Sequence, residues 1–212
     1  MLYFYCPDRY HNAGQKWGYM DFNRIKGQEH AKRGLEIALA GGHSVLLVSP
    51  PQIDTERLTK ATREINSLLS IRTMTPCPCG YFTDPKHECT CTPEDIHKHL
   101  ALEAKNGTAD ICLEVPRLNT EMLSDKRRGE ASAVVIERIK QAQSRETPTT
   151  CDKEADELLK LAILELGISS HAYDKIIRVA GTIAQLDDKA IIEAHHISEA
   201  ISYRSLDRNL WG

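Results

Sequence analysis

Gly41-Gly-His-Ser-Val-Leu-Leu-Val-Ser-Pro-Pro-Gln-Ile-Asp-Thr-Glu56 decides how the chain is read. Before it, Ala31, Leu35, Ala38 and Leu39 recur at helical spacing, so a helix is expected over Gln28–Ala40. Gly41 and Gly42 stop that helix. Val45–Val48 is an unbroken apolar run, the pattern of a strand buried on both faces. A second helix is expected from Thr55 to Leu69. Strand, loop and helix in this order form the frame of a phosphate-binding loop. The loop chemistry does not match the frame. Such a loop needs glycines whose N–H groups converge on phosphate, a lysine, and a hydroxyl for Mg²⁺. Over Ser49, Pro50, Pro51, Gln52, Asp54, Thr55 and Glu56, Gln52 and Asp54 stand in glycine positions. Thr55 stands for the lysine and Glu56 for the hydroxyl. Two carboxylates would face a triphosphate.

The second informative stretch is Thr75-Pro-Cys-Pro-Cys-Gly-Tyr-Phe-Thr-Asp-Pro-Lys-His-Glu-Cys-Thr-Cys-Thr-Pro93. It holds four of the seven cysteines, Cys77, Cys79, Cys89 and Cys91, as two Cys-x-Cys pairs. Four prolines exclude a continuous helix, and Gly80 permits a tight turn. Two readings stand: reduced cysteines in an ordered loop, or a four-cysteine zinc site with His87 able to replace one ligand. The one-residue spacing within each pair is tighter than the two to four usual for structural zinc. Without a secretory apolar segment, and with an odd cysteine number, a disulfide framework is not expected.

Outward from these stretches, Met1–Met20 is irregular and aromatic, and Met1–Tyr5 is a candidate edge strand. A helix over Thr92–Ala104 has Thr92 as cap and Asp95 as the capping-box acid. Ile111–Val115 reads as a strand ended by Pro116. Met122–Arg128 is a charged connection. The helix Ala131–Ser144 is expected to turn Val134, Val135, Ile139 and Ala142 inward. Cys112 and Cys151 are expected to be buried small hydrophobes. Three more helices follow. The first is Asp152–Leu166, with Thr150 as cap, Leu158, Leu159, Ala162, Ile163 and Leu166 as its apolar face, and Gly167 closing it. Ser169 then caps a helix to Gln185, and His195–Ser205 is the last. Of the adjacent His195 and His196, one is expected packed and one exposed. Net charge of −3 and 6% aromatic residues argue against a strong polyanion binder, although Lys126, Arg127, Arg128, Arg178, Arg204 and Arg208 could supply phosphate contacts.

The chain resembles Mg-chelatase-related AAA+ ATPases of the ComM type, a group linked to natural transformation and DNA branch migration. The resemblance rests on Asp21-Phe, Lys26-Gly-Gln-Glu-His-Ala-Lys-Arg-Gly-Leu-Glu-Ile-Ala38, Gly41-Gly-His43, Leu46-Leu-Val-Ser-Pro-Pro51, Pro76-Cys-Pro-Cys-Gly-Tyr81, Asp84-Pro85 and Cys89-Thr-Cys-Thr-Pro93. It continues through Glu114-Val-Pro116, Gly129-Glu130, Tyr173, Ile176, Arg178-Val-Ala180, Thr182-Ile-Ala184 and Ala200–Arg208. It implies an α/β fold: a reduced AAA+ P-loop-like core over 21–149 with an internal deletion between Leu69 and Thr75. An all-helical, lid-like domain would cover 150–212, after an irregular segment 1–20. The deletion removes the acidic strand that holds Mg²⁺ in the family. Thr75 stands at the family's sensor asparagine, Thr108 at its intersubunit arginine and His171 at its lid arginine.

Several expectations follow. The chain is a catalytically inactive remnant without ATP binding, possible as a partner of a full-length relative. It is a monomer or weak oligomer in isolation, cytoplasmic, with weak or no nucleic-acid binding and no membrane segment. The alternatives are a zinc-binding or nucleic-acid-interacting module in DNA processing, a residual ATP-binding protein as membership would imply, and a product of gene decay.

Overall fold

The computed structural model describes residues 20–51, 53, 55–105 and 109–204, excepting the side chains of 103–105 and 166. The candidate strand Met1–Tyr5, loop positions Gln52 and Asp54, Thr108 and Arg208 lie outside them. A 3-10 turn, Phe22–Arg24, opens the described chain. Asp21 caps it by accepting from the Asn23 N–H, and its carboxylate also takes the Ser132 N–H. Helix α1 (Glu29–Gly41) follows, ended by Gly42 at φ +68. Strand β1 (Val45–Val48) leads to α2 (Thr55–Ile65) and β2 (Ile71–Met74). The long cysteine loop leads to α3 (Pro93–Lys105) and then β3 (Ile111–Glu114). The short α4 (Thr120–Ser124) and α5 (Ser132–Gln143) precede α6 (Lys153–Leu166), α7 (Ser170–Leu186) and α8 (Ala194–Ser202).

The three strands form one parallel sheet in the order β2-β1-β3. Val45 pairs with Ile71 on one side and Ile111 on the other, and the register runs to Val48 opposite Met74 and Glu114. All four residues of β1 are buried, as a central strand covered on both faces requires. Helix α1 lies against β3 so closely that a Cβ at Gly34 would sit 2.4 Å from the Leu113 side chain. The apolar core is continuous from Leu35, Leu47 and Leu113 through Ile139 to Leu159, Ile183 and Ile197. It therefore crosses the expected boundary at residue 149.

Several local expectations are corrected by packing. Helix α2 stops at Ile65, and Leu69 drops into the core while Leu68 stays exposed. Strand β2 was not anticipated: four residues with one fully buried position carry too short an alternation to read. Part of the expected charged connection 122–128 is α4, capped by Asn119 accepting from the Met122 N–H. On α5 the inward face is Val135, Ile136, Ile139 and Ala142, whereas Val134 points to solvent. The i, i+3, i+4, i+7 stripe runs from Ser132 through Val135 and Ile136 to Ile139, so Ile136 takes the place expected for Val134. Asp152, not Thr150, caps α6, because its carboxylate reaches the Ala155 N–H at 2.7 Å. The Thr150 carbonyl instead accepts from Ile192. Leu158, Ile163 and Cys151 are only half-buried.

Candidate metal centre and the loop beside it

The cysteine loop begins where β2 ends and returns to the first turn of α3. His99 on α3 anchors its start, with Nε2 2.9 Å from the Thr75 carbonyl. Thr92 anchors its end: its Oγ accepts the Asp95 N–H, and the Asp95 carboxylate accepts from the Thr92 N–H and hydroxyl. Gly80 turns at φ +86 between the Cys77 carbonyl and its own N–H, 3.0 Å apart. The turn brings the four sulfurs together. Cys77 Sγ lies 3.4 Å from Cys79 Sγ and 3.7 Å from Cys89 Sγ, and Cys79 Sγ lies 3.6 Å from Cys89 Sγ. Cys91 completes a group whose ligand atoms all fall within 4.8 Å of one another. A tetrahedron with arms of about 2.3 Å has edges of about 3.8 Å, so this set has the dimensions of a four-thiolate zinc site.

Cys79 and Cys91 are pushed in opposite directions. Backbone N–H groups of Tyr81 and Thr90 hold the Cys79 thiol down at about 5. Cys91 accepts the Cys79 N–H, yet desolvation and the Cys79 and Cys77 sulfurs push it up to about 12. Four touching sulfurs cannot all carry charge unless a cation stands between them. His87 does not join the set. Its Nδ1 faces the Asp84 carboxylate at 3.5 Å and its ring rests on Tyr81 at 4.7 Å. Asp84 is the keystone of the loop's outer half. It accepts from Arg117 at 2.9 Å and from the Lys86 N–H at 2.8 Å, and the Arg117 guanidinium holds its carboxyl far below the usual range.

The cysteine turn sits directly on the loop after β1. A Cβ on Gly80 would lie 2.6 Å from the Pro51 ring, and Arg117 reaches the Pro51 carbonyl at 3.5 Å. The Ser49 N–H is already bonded to the Met74 carbonyl and the Thr55 N–H to that of Ile53. Pro50 and Pro51 have no N–H. Thr55 is half-buried and Glu56 exposed at the start of α2. Beyond the strand ends lies a cleft of about 390 Å³ lined by Ile25, Gln28, Ile53, Leu58, Val115 and Leu123, among others. Two of its polar groups are engaged: Lys26 Nζ donates to the Leu123 carbonyl and Gln28 Nε2 to that of Pro116.

At the opposite end of the sheet, a polar cluster joins β1 and β3 to α7. Asp110 accepts from the Ser44 N–H and hydroxyl, both at 2.9 Å, and pairs with Arg178 at 3.2 Å. His43 is buried with Nε2 2.8 Å from Thr182 Oγ; burial depresses it to about 4. Arg204, a candidate phosphate contact in the sequence, is 6% exposed and donates to the Ala109 and Asp110 carbonyls. His171 is exposed at the start of α7. Lys126, Arg127 and Arg128 line one basic surface pocket with Arg24 and Lys26, but Arg178 is committed to Asp110 and Arg204 to the core.

One further cluster went unread in sequence: Asp187 with His195 and His196. His196 is fully buried and His195 exposed, as expected, and their rings lie 3.8 Å apart. The Glu193 N–H donates to His196 Nδ1 at 2.9 Å, which places the ring proton on Nε2, facing Asp187 at 3.6 Å. That nitrogen has no lone pair to give a metal. The cluster is a helix-capping network. No adjacent acid–histidine motif announced it, because Asp187 lies in the turn before α8.

The family model for magnesium chelatase, subunit ChlI, matches residues 21–70 and 52–123 in two overlapping pieces. The model for the C-terminal part of subunit ChlI matches residues 125–204. The chain is 30% identical over 162 residues to the uncharacterized protein YifB of Escherichia coli, covering 66% of this chain and 31% of that protein. It is 31% identical over 163 residues to the competence protein ComM of Haemophilus influenzae, with the same coverage. The aligned region thus amounts to about a third of the length of these relatives. Motifs, parallel α/β core and helical C-terminal region together place the chain in the Mg-chelatase-related AAA+ family of the ComM type.

Proposed function

We propose that this chain is a nucleotide-silent member of its family whose four cysteines hold a structural zinc ion. The observation that carries the reading is the loop after β1. It offers two prolines without N–H groups, two N–H groups already bonded, and no lysine, and the cysteine turn is wedged against Pro51. Phosphoryl transfer rests on convergent donors, a lysine, metal-binding acids and an intersubunit arginine. This loop has no lysine, and among its described residues the Ser49 and Thr55 N–H groups are already taken. The family match in two overlapping pieces supports loss of the segment that supplies the acids. The frame outlasts the site because β1 and α2 pack through Leu47, Leu58 and Ala61, which phosphate never touches.

Zinc would tie the ends of β2 and α3 together across the loop, the role of a closed four-ligand site. A chain with this scaffold and no turnover acts through contacts, and we assign it as a docking partner of a full-length relative in the reducing cytoplasm. Among the described residues, no helix is long and apolar enough to cross a membrane.

Calorimetric titration of ATP-Mg²⁺ into the purified chain tests the nucleotide reading; no saturable heat is expected, and a micromolar isotherm would overturn it. Atomic emission on the same protein should find one zinc per chain, lost on replacing Cys89 and Cys91 by serine. Co-purification with a full-length relative tests the partner, and failure to recover it at micromolar concentrations would remove that assignment.

A further inference from the structure

Two hollows adjoin on the face beyond the strand ends. The first is the cleft of about 390 Å³, with apolar walls from Ile25, Ile53, Leu58, Val115, Leu118 and Leu123. Ile25 and Val115 are buried, whereas Leu123 on α4 is 52% exposed. The second hollow, of about 590 Å³, is lined by the basic run Lys126–Arg128 with Asp21, Asn23 and Asp125. Arg24 and Lys26 line both, so the two make one groove, apolar at one end and polar at the other.

The charge of this groove is one-sided. Five basic side chains line each hollow and two are shared, so eight of the chain's 27 gather here. The acidic side chains lining it are Asp21 and Asp125. Both are committed locally. Asp21 accepts the Asn23 and Ser132 N–H groups, and Asp125 pairs with Arg127 at 2.7 Å. Arg117 in turn is paired with Asp84. With these pairs set aside, the lining keeps several positive charges on a chain whose net charge is −3. Apolar walls beside charges of one sign concentrate their field on an incoming anion.

The ligand that fits must bring both negative charge and apolar groups. Clefts of about 300–1,000 Å³ are the usual size for holding apolar groups out of water. Nucleic acid brings the charge without the apolar side chains, and no aromatic ring lines either hollow to stack a base. An acidic polypeptide brings both.

We propose that this groove docks an acidic segment of a partner protein, with its apolar side chains in the cleft beside Leu123 and its carboxylates along Arg24, Lys26 and Lys126–Arg128. The assignment gives the docking role above a surface, and it rests on that role only in taking the partner to be a protein. Neither zinc nor nucleotide enters it.

Fluorescence anisotropy with the full chain and a labelled peptide of alternating glutamate and leucine tests it. No full-length relative is involved, so a failure here is separate from a failure of co-purification. Saturable micromolar binding is expected, and Lys126→Glu should weaken it about fivefold. Lys153→Glu makes the same change in net charge on α6 and should leave binding unchanged. A peptide with serine in place of leucine should bind about tenfold more weakly, since it leaves the cleft unfilled. The proposal is overturned if the glutamate–leucine peptide does not saturate, or if the serine peptide binds as tightly. Equal losses from Lys126→Glu and Lys153→Glu overturn it as well. So does a single-stranded oligonucleotide that binds more tightly than the peptide and is weakened by Lys126→Glu, which would make the groove a nucleic-acid surface.

Discussion

Gly80→Ala tests the link between the cysteine turn and the loop after β1. Two costs add at this position. The backbone sits at φ +86, where a residue with a Cβ loses about 1 kcal/mol or somewhat more. The new Cβ would also lie 2.6 Å from both Cγ and Cδ of Pro51. That is about 1 Å inside ordinary contact, against a rigid ring that cannot rotate away, and overpacking of this kind costs about 1–3 kcal/mol. The sum is about 2–4 kcal/mol, or roughly 5–15 °C in melting temperature for a chain of this size. Gly42→Ala separates the two costs, because Gly42 has φ +68 with nothing within 4 Å of its Cβ. It should lose only about 1 kcal/mol. Urea denaturation of the three proteins gives the stabilities, and the rate at which the proposed zinc is released to a chromogenic chelator gives the state of the cysteine turn. Gly80→Ala should lose stability and release zinc faster, whereas Gly42→Ala should release it at the wild-type rate. Equal losses in the two variants, with equal release, would refute the claim that the turn is braced on Pro51.

His43 should make the protein acid-sensitive. It is neutral when folded, with its pKa depressed to about 4, so the unfolded chain binds the extra proton. The stability it contributes is complete above an unfolded value of about 6.5 and is lost as pH falls toward 4, in all about 3 kcal/mol. Urea midpoints between pH 7 and 4 should show the fall, and His43→Gln, which does not titrate, should flatten it. Arg138→Met should cost about 1–3 kcal/mol, because it leaves the buried Glu36 carboxylate with only Arg33 at 3.3 Å. Adding Glu36→Gln should recover part of that loss in a double-mutant cycle. Asp152→Ala should cost about 1 kcal/mol by uncapping α6, and Thr150→Ala far less, in thermal melts.

What the residues by themselves determined was local. Val45–Val48 had to be a central strand, Gly42 and Gly167 had to end helices, and Thr92 with Asp95 had to start one. Each depends on neighbours within about four positions. The chemistry that Ser49–Glu56 cannot perform is also written in side-chain types. The two Cys-x-Cys pairs suggested convergence, but only the turn at Gly80, held between Thr75–His99 and Thr92–Asp95, sets sulfurs 3.4–3.7 Å apart and leaves His87 to Asp84. Tertiary packing alone decided the rest. Strand β2 exists because Ser70 and Met74 meet β1, and Val134 yields the inward face to Ile136 because α5 must fit α1 and α7. His43 meets Thr182 across 139 residues, and Arg204 is buried because two carbonyls near 110 need its donors. A buried polar group is satisfied by whatever the fold brings beside it, and sequence distance holds no record of that partner.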